Sequence, residues 1–394
     1  MRLYLSKPGL ICAAGKNPSE FFESLVIGSQ KGIKKTECAG TDFFAARIPD
    51  EWLSPVDDAF DMRIIRILDR ALEQISPAVN KAVSLFGKER VGVCVGSCDN
   101  GSECSFEAHK EFFENGAFPC DYNPIVQGAD YPAVFASKKW GVLGPSLSFA
   151  TACSSSASAF VKARELVESD ICDAIVVGGV DIVSNTVLLG FNSLEAISVE
   201  SPTNPLSENR KGITLGDGAA FFVLAKADLD ETGIVLLGCG ESADASHMTA
   251  PLPDGSGALA AMQAALHDAN LAPSCIDYVN LHATGTKLND AMESRAVKKI
   301  FNDYNVPVSG IKPVTGHTLG ASGALELAAC FLAVQNQKAP VHVWDGVQDM
   351  ELPCLNVVSQ NSKFPKGIRT CMSNSFAFGG CNVSLIIGKE DENN

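Results

Sequence analysis

Short apolar runs rich in β-branched residues recur along the chain, at residues 91–95 (VGVCV), 174–180 (AIVVGGV), 220–225 (AFFVLA), 234–237 (IVLL) and 278–281 (YVNL). None alternates strictly between apolar and polar positions, so each predicts a strand covered on both faces. Between these runs the apolar positions fall at helical spacing. Residues 62–74 place Ile64, Ile65, Leu68 and Leu72 on one face, and helices are predicted over 155–167, 258–270 and 324–336. Strands alternating with helices predict an α/β protein. The sequence shows no continuous stretch of about 18 apolar residues, so no membrane span is expected.

The pattern also repeats faintly. LSFATACSSSASAF is followed by GDGAAFFVLAK, and later VSGIKPVTGHTLGASGALELAA is followed by SFAFGGCNVSLIIGK. Each pair is a small-residue turn from strand to helix, then a glycine-rich entry into a strand. The expectation is two similar halves, 1–232 and 233–394, joined near residues 225–240 in one packed body. The polar ending KEDENN reads as a frayed terminus.

Composition narrows the function classes. The 394 residues carry a net charge of −15 without any Lys/Arg run to offset it, so nucleic acid is an unexpected partner. The 14 cysteines are scattered, with no CxxC pair and no Cys/His cluster at zinc spacing, which argues against a metal. Several lie in apolar runs and read as buried thiols. With no apolar leader at the start, free thiols point to a reducing, cytoplasmic setting.

Four segments carry candidate chemistry. Cys153 in SFATACSSSASAF sits where a strand gives way to a helix, and a thiol there feels the positive end of the helix dipole. Taken alone it reads as a nucleophile or as a buried structural thiol. His282 in NLHATGTKLND follows the strand at 278–281, at the end where open α/β sheets place ligands. Alone it reads equally as a structural histidine. Lys312 and His317 in SGIKPVTGHTLGASGALE lie around a turn into a helix of small residues, at a spacing that lets both point into one pocket. In NSFAFGGCN, Gly379 and Gly380 mark irregular backbone able to present an N–H to a substrate oxygen.

Together these segments resemble the β-ketoacyl-acyl carrier protein synthases, the elongating condensing enzymes of the thiolase superfamily. Their pattern is T-A-C, H-G-T-G-T, K-x-x-x-G-H and G-F-G-G-T-N, in that order. SADASHMTAP at 242–251 and NPLSENRKGITLGDGAA at 204–220 also look like family segments. The resemblance runs from about residue 90 to 388. It implies a thiolase-like α/β fold of two βαβαβαβ halves packed as five αβαβα layers. It implies a decarboxylative Claisen condensation in fatty acid, polyketide or polyene elongation, with acyl and malonyl groups carried on the phosphopantetheine of acyl carrier protein and no other cofactor.

By the same resemblance Cys153 is the acylated nucleophile, and His282 and His317 donate to the enolate. Lys312 orders the histidines with Glu326 as its carboxylate partner, and Thr284 and Thr286 bind the phosphopantetheine arm. Phe378 is the gating phenylalanine, and the backbone N–H groups of Cys153 and Phe378 form the oxyanion hole. Gly379 belongs to the same substrate-binding segment. The implied assembly is most simply a homodimer, with a chain length factor heterodimer as the alternative. A non-catalytic chain length factor is disfavoured because Cys153 is present, and a thiolase because its second cysteine motif is missing. The chain departs from the pattern at Ala377 and Ala283, where glycine is usual, at Asp217 for glutamate, and at CDNGS (98–102) for G-x-G-G-L. For the acidic carrier protein, Arg63, Arg66 and Arg70 are the expected docking face, with Lys138 and Lys139 as a second possibility.

Overall fold

The computed structural model describes residues 1–57, 61–99 and 101–389. The end of the polar tail, 390–394, and Asn100 in the CDNGS segment lie outside them. One sheet of twelve strands runs through the molecule. At one end, Val91–Gly96 pairs in parallel with both Ser146–Phe149 and Ala174–Asp181. Gly218–Ala225 then joins Ala174–Asp181 antiparallel, and Gly9–Cys12 joins Gly218–Ala225 antiparallel.

At the other end the same arrangement recurs. Tyr278–Asn280 pairs in parallel with Pro307–Ser309 and Thr370–Phe376. Cys381–Lys389 joins Thr370–Phe376 antiparallel, and Ile234–Ala243 follows antiparallel. The short strand Tyr4–Leu5 bonds to Gly218–Ala225 on one side and Ile234–Ala243 on the other, which makes the two sets continuous. All eight residues of Ala174–Asp181 and of Gly218–Ala225 are buried, which explains why their sequences show no polar alternation.

Helices Ser155–Glu168 and Ser322–Asn336 pack against each other between the two strand sets. Gly323 permits the close approach: a Cβ there would lie 2.9 Å from the Ala157 backbone nitrogen. Arg63–Phe86 and Tyr131–Trp140 cover the outer face of the first set, and Ser256–Asp268 with Lys287–Phe301 that of the second. The result is five alternating layers.

Some elements exceed the sequence expectation. The helix expected at 62–74 continues through Pro77 to Phe86, because Ala78, Val79 and Ala82 extend its buried stripe. Residues Leu319–Asn336 are, contrary to the sequence reading, long and apolar enough to cross a bilayer, yet 89% of the run is buried inside the protein as the central helix. Helix Ser102–Asn115 lacks a clear apolar period and buries only Ala108.

Candidate active site

Cys153 is placed by backbone geometry. Strand Ser146–Phe149 ends in a turn at which Ala152 takes φ +52°, and Ala152–Ser154 forms one tight turn before helix Ser155–Glu168. The Ser155 hydroxyl donates to the Ala152 carbonyl at 2.6 Å and accepts from Thr151 N–H at 3.0 Å, which pins the turn. Cys153 is thereby turned inward and is 6% exposed.

His282 and His317 come from the other strand set. His282 follows Tyr278–Asn280, and the next residue, Ala283, has φ +40°. Glu293 holds this strained corner, one carboxylate oxygen accepting His282 N–H and the other Ala283 N–H, each at 2.7 Å. Burial pushes Glu293 up to about 8, opposed by those two N–H bonds. His317 precedes a turn at Leu319 like the one at Ala152, with φ +51°. Its Nε2 lies 3.1 Å from Cys153 Sγ, and the His282 and His317 ring centroids are 5.4 Å apart at 88°.

The tautomers follow from the outer nitrogens. The Leu319 N–H donates to His317 Nδ1 at 3.2 Å, so the ring proton sits on Nε2, facing the sulfur. The Lys312 ammonium lies 3.2 Å from His282 Nδ1 and has only hydrogens to offer, so His282 also carries its proton on Nε2. Burial, then Lys312, hold both histidines well below 6.5, so both are neutral N–H donors at pH 7. Lys312 also bonds the His282 carbonyl at 2.5 Å and Glu326. Burial raises Glu326 to about 7 against the pull of Lys312.

Burial pushes the Cys153 thiol up to about 11, while Lys312 and the Phe378 N–H pull it down. The ligand-type atoms of Cys153, His282 and His317 all lie within 4.8 Å of one another, a cluster invisible as sequence spacing. A metal would need the Nε2 lone pairs. Both Nε2 atoms carry hydrogens fixed by Leu319 and Lys312, so the cluster suits an anion rather than a cation.

A cavity of about 520 Å³ leads to the sulfur, lined by Cys153, both histidines, Thr284, Thr286 and Phe378. The two threonine hydroxyls are 3.1 Å apart, and Thr286 also caps helix Lys287–Phe301 by accepting from Asn289 N–H. Phe378 stacks on Phe191 at 5.8 Å. The Gly379 N–H donates to Met248 O and the Gly380 N–H to Ala377 O, so neither glycine offers the free donor that the sequence suggested. Lys211 and Lys287, not singled out from the sequence, line the same cavity.

The expected docking arginines are committed elsewhere. Arg63 bonds the fully buried Asp217 at 2.6 Å, the Ile48 carbonyl and Asp50. Arg66 pairs with Asp61 and Arg70 with Glu73. Lys139 pairs with Asp69. A helical face of arginines is here a set of ion pairs, and Arg63 is tied to the buried Asp217.

Comparison with known proteins accords with this geometry. Residues 9–229 match the beta-ketoacyl synthase N-terminal domain and residues 234–343 the C-terminal domain. The chain is 31% identical to the 3-oxoacyl-[acyl-carrier-protein] synthase 2 of Coxiella burnetii, over 98% of both chains. It matches a chain of the complex between a ketosynthase and its chain length factor from Xenorhabdus doucetiae, at 36% identity and TM-score 0.92, over 99% and 98% of the two chains. A beta-ketoacyl synthase from Burkholderia phymatum follows at 27% identity and TM-score 0.87, over 99% and 100%. The chain belongs to the beta-ketoacyl synthase family. It is a condensing acyltransferase with the thiolase-like fold.

Proposed function

We propose that Cys153 carries the growing acyl chain and that His282 and His317 stabilise the enolate formed when a malonyl thioester loses carbon dioxide. The observation that carries this is the pair of neutral imidazoles whose Nε2–H groups are fixed toward one sulfur. In the first step the sulfur attacks a thioester carbonyl, the carbon–sulfur bond to the carrier breaks, and the Cys153 proton passes to the departing carrier thiolate, which leaves as the free thiol. The developing oxyanion faces the Phe378 N–H, with the Cys153 N–H as the second donor by family position. In the second step the malonyl carbon–carboxylate bond breaks and the electron pair passes onto the thioester oxygen, which the two Nε2–H groups meet. The resulting carbanion attacks the Cys153 thioester and the sulfur is released. Lys312, paired with Glu326, keeps His282 in the donor tautomer.

Thr284 and Thr286 flank the route for a phosphopantetheine arm, and Phe378 stands at its inner end. Acyl carrier protein docks at the cavity mouth, where Lys287 is the docking cation and Lys211, 3.7 Å from Glu200, lies beside it. The chain acts as a dimer in a reducing, cytoplasmic setting, through halves 1–232 and 233–394, and supplies a fatty acid, polyketide or polyene pathway. Cys381 does not line the cavity, which supports condensation over thiolysis.

Intact-mass measurement after incubation with an acyl carrier protein thioester tests the assignment. A single acyl adduct is expected on the wild type and none on Cys153→Ala at unchanged melting temperature. An undiminished adduct on the variant overturns it.

A further inference from the structure

Helix Lys287–Phe301 has a one-sided surface. Met292, Ala296, Val297 and Phe301 set its buried face. Its exposed positions are Lys287, Leu288, Arg295, Lys298 and Lys299, so every exposed polar side chain on the helix is a cation. At about 100° per residue the four charges gather within roughly 120° of the helix circumference. From Lys287 to Lys299 they extend about 18 Å at a rise of 1.5 Å per residue.

These charges are held but not neutralised. Arg295 donates to the Pro253 carbonyl at 2.7 Å and Lys298 to the Asn302 carbonyl at 3.2 Å, which fix the side chains and leave their charge. Among the described residues, none of the four cations pairs with a carboxylate. Asp349 is taken by Arg210 at 2.5 Å, and Asp254 by the Ser256 hydroxyl and N–H. Arg66, Arg70 and Lys139 differ, since each has its acid. Lys298 and Lys299 suit the C-terminal end of the helix dipole, but Lys287 stands at the N-terminal end, where the dipole opposes a cation.

The stripe begins where substrate enters. Lys287 and Leu288 line the cavity that leads to Cys153, and Leu288 is 59% exposed, an apolar contact set among cations. Another part of the cavity wall carries the exposed Glu195 and Glu208. An acidic partner is repelled there and drawn to the helix, which fixes its orientation as well as its place.

We propose that the acyl carrier protein lays an acidic face along this helix, with Leu288 as the apolar anchor at the cavity mouth and Arg295, Lys298 and Lys299 holding the body of the partner. The inference rests on the ketosynthase reading above and extends its docking site from one lysine to the length of a helix.

The test is the triple variant Arg295→Glu, Lys298→Glu, Lys299→Glu, which leaves the cavity lining intact. With an acyl-loaded carrier protein as substrate, the KM for acylation of Cys153 should rise about tenfold with kcat little changed. With a small acyl-pantetheine thioester both constants should stay at their wild-type values. Added salt should weaken the wild type toward the variant when the carrier protein is the substrate. The triple Gln variant at the same positions, which only removes charge, should show a smaller rise in KM and covers the case in which the Glu variant misfolds. A control variant, Lys338→Glu, Lys363→Glu, Lys366→Glu, reverses three exposed cations outside the cavity lining and should leave both substrates unaffected. An unchanged KM for the carrier protein in both helix variants, a Gln variant that loses both substrates equally, or an equal rise in the control overturns the proposal. A wild type that is acylated by neither substrate refutes the ketosynthase reading instead.

Discussion

The two strand-to-helix turns at the centre of the molecule are nearly superimposable in kind and opposite in use. Thr151-Ala152-Cys153 and Thr318-Leu319-Gly320 share a positive φ at the middle residue, +52° and +51°, and each enters a short tight turn before a buried helix. At the third position one carries Cys153, the proposed nucleophile, and the other a glycine. The Gly320 N–H donates to Asp181 at 2.6 Å, and a Cβ there would fall 2.6 Å from the same carboxylate oxygen. A second pair of positions matches as well. Ser97 N–H bonds Phe149 O as Leu281 N–H bonds Ser309 O, which sets Cys98 against His282. Cys98 Sγ donates to the Ala152 carbonyl and lies 3.6 Å from the Ser155 hydroxyl, whereas His282 faces the Cys153 sulfur. A repeated fold thus presents each special backbone position twice, and the proposed chemistry occupies one copy while packing occupies the other.

The comparison breaks most visibly at the histidines. Removing either Nε2–H donor, as His282→Ala or His317→Ala, should lower malonyl decarboxylation by about 10²–10³ while acylation of Cys153 falls much less. Rapid-quench assays of the two half-reactions separate these effects, and equal losses in both would make the imidazoles supports of Cys153 rather than enolate donors.

A buried histidine beside the outer strands of the second set gives the next effect. His342 Nδ1 accepts from Gly310 N–H, and Nε2 donates to Pro205 O, so the ring must stay neutral. Burial lowers its pKa from 6.5 to about 4. Between those values the unfolded chain binds the extra proton, so stability falls as pH drops from 6.5 to 4, by about 3 kcal/mol from this residue. Urea titrations across that range should show a flatter wild-type-minus-variant slope for His342→Asn outside the window than inside it.

The smallest effect sharpens the comparison itself. Gly320→Cys writes the first turn's residue into the second, and overpacking against Asp181 should cost about 1–3 kcal/mol in denaturant stability. In a Cys153→Ala background the new thiol should take no acyl group by intact mass. An adduct at position 320 would show that the two turns are interchangeable and that the cavity does not choose between them.

The sequence made one of these turns more legible than the other. Small residues around Cys153 and the motif after it are local signals, and so is the Lys-x-x-x-Gly-His run. Apolar runs such as 174–180 announce buried strands without ambiguity. What sequence could not show is distance between segments. Glu293 reads as one more helix carboxylate until its two oxygens are seen on His282 N–H and Ala283 N–H. Arg63, Arg66 and Arg70 have the spacing of a docking stripe, and only the fold reveals Asp217, Asp61 and Glu73 beside them. Helix Ser102–Asn115 escaped notice because it buries one residue and so lacks the apolar period that betrays the others.

The central helix Ser322–Asn336 has a consequence for the order in which the chain becomes a protein. It packs not only on strands of its own set but also on Gly218–Ala225 and on helix Ser155–Glu168, formed from sequence made much earlier. During synthesis those early strands emerge with one greasy face open, and the segment that closes it is among the last to appear. Contacts of such long sequence separation form slowly. Folding therefore finishes late and all together, and the nascent chain must be kept from its neighbours until its own middle layer arrives.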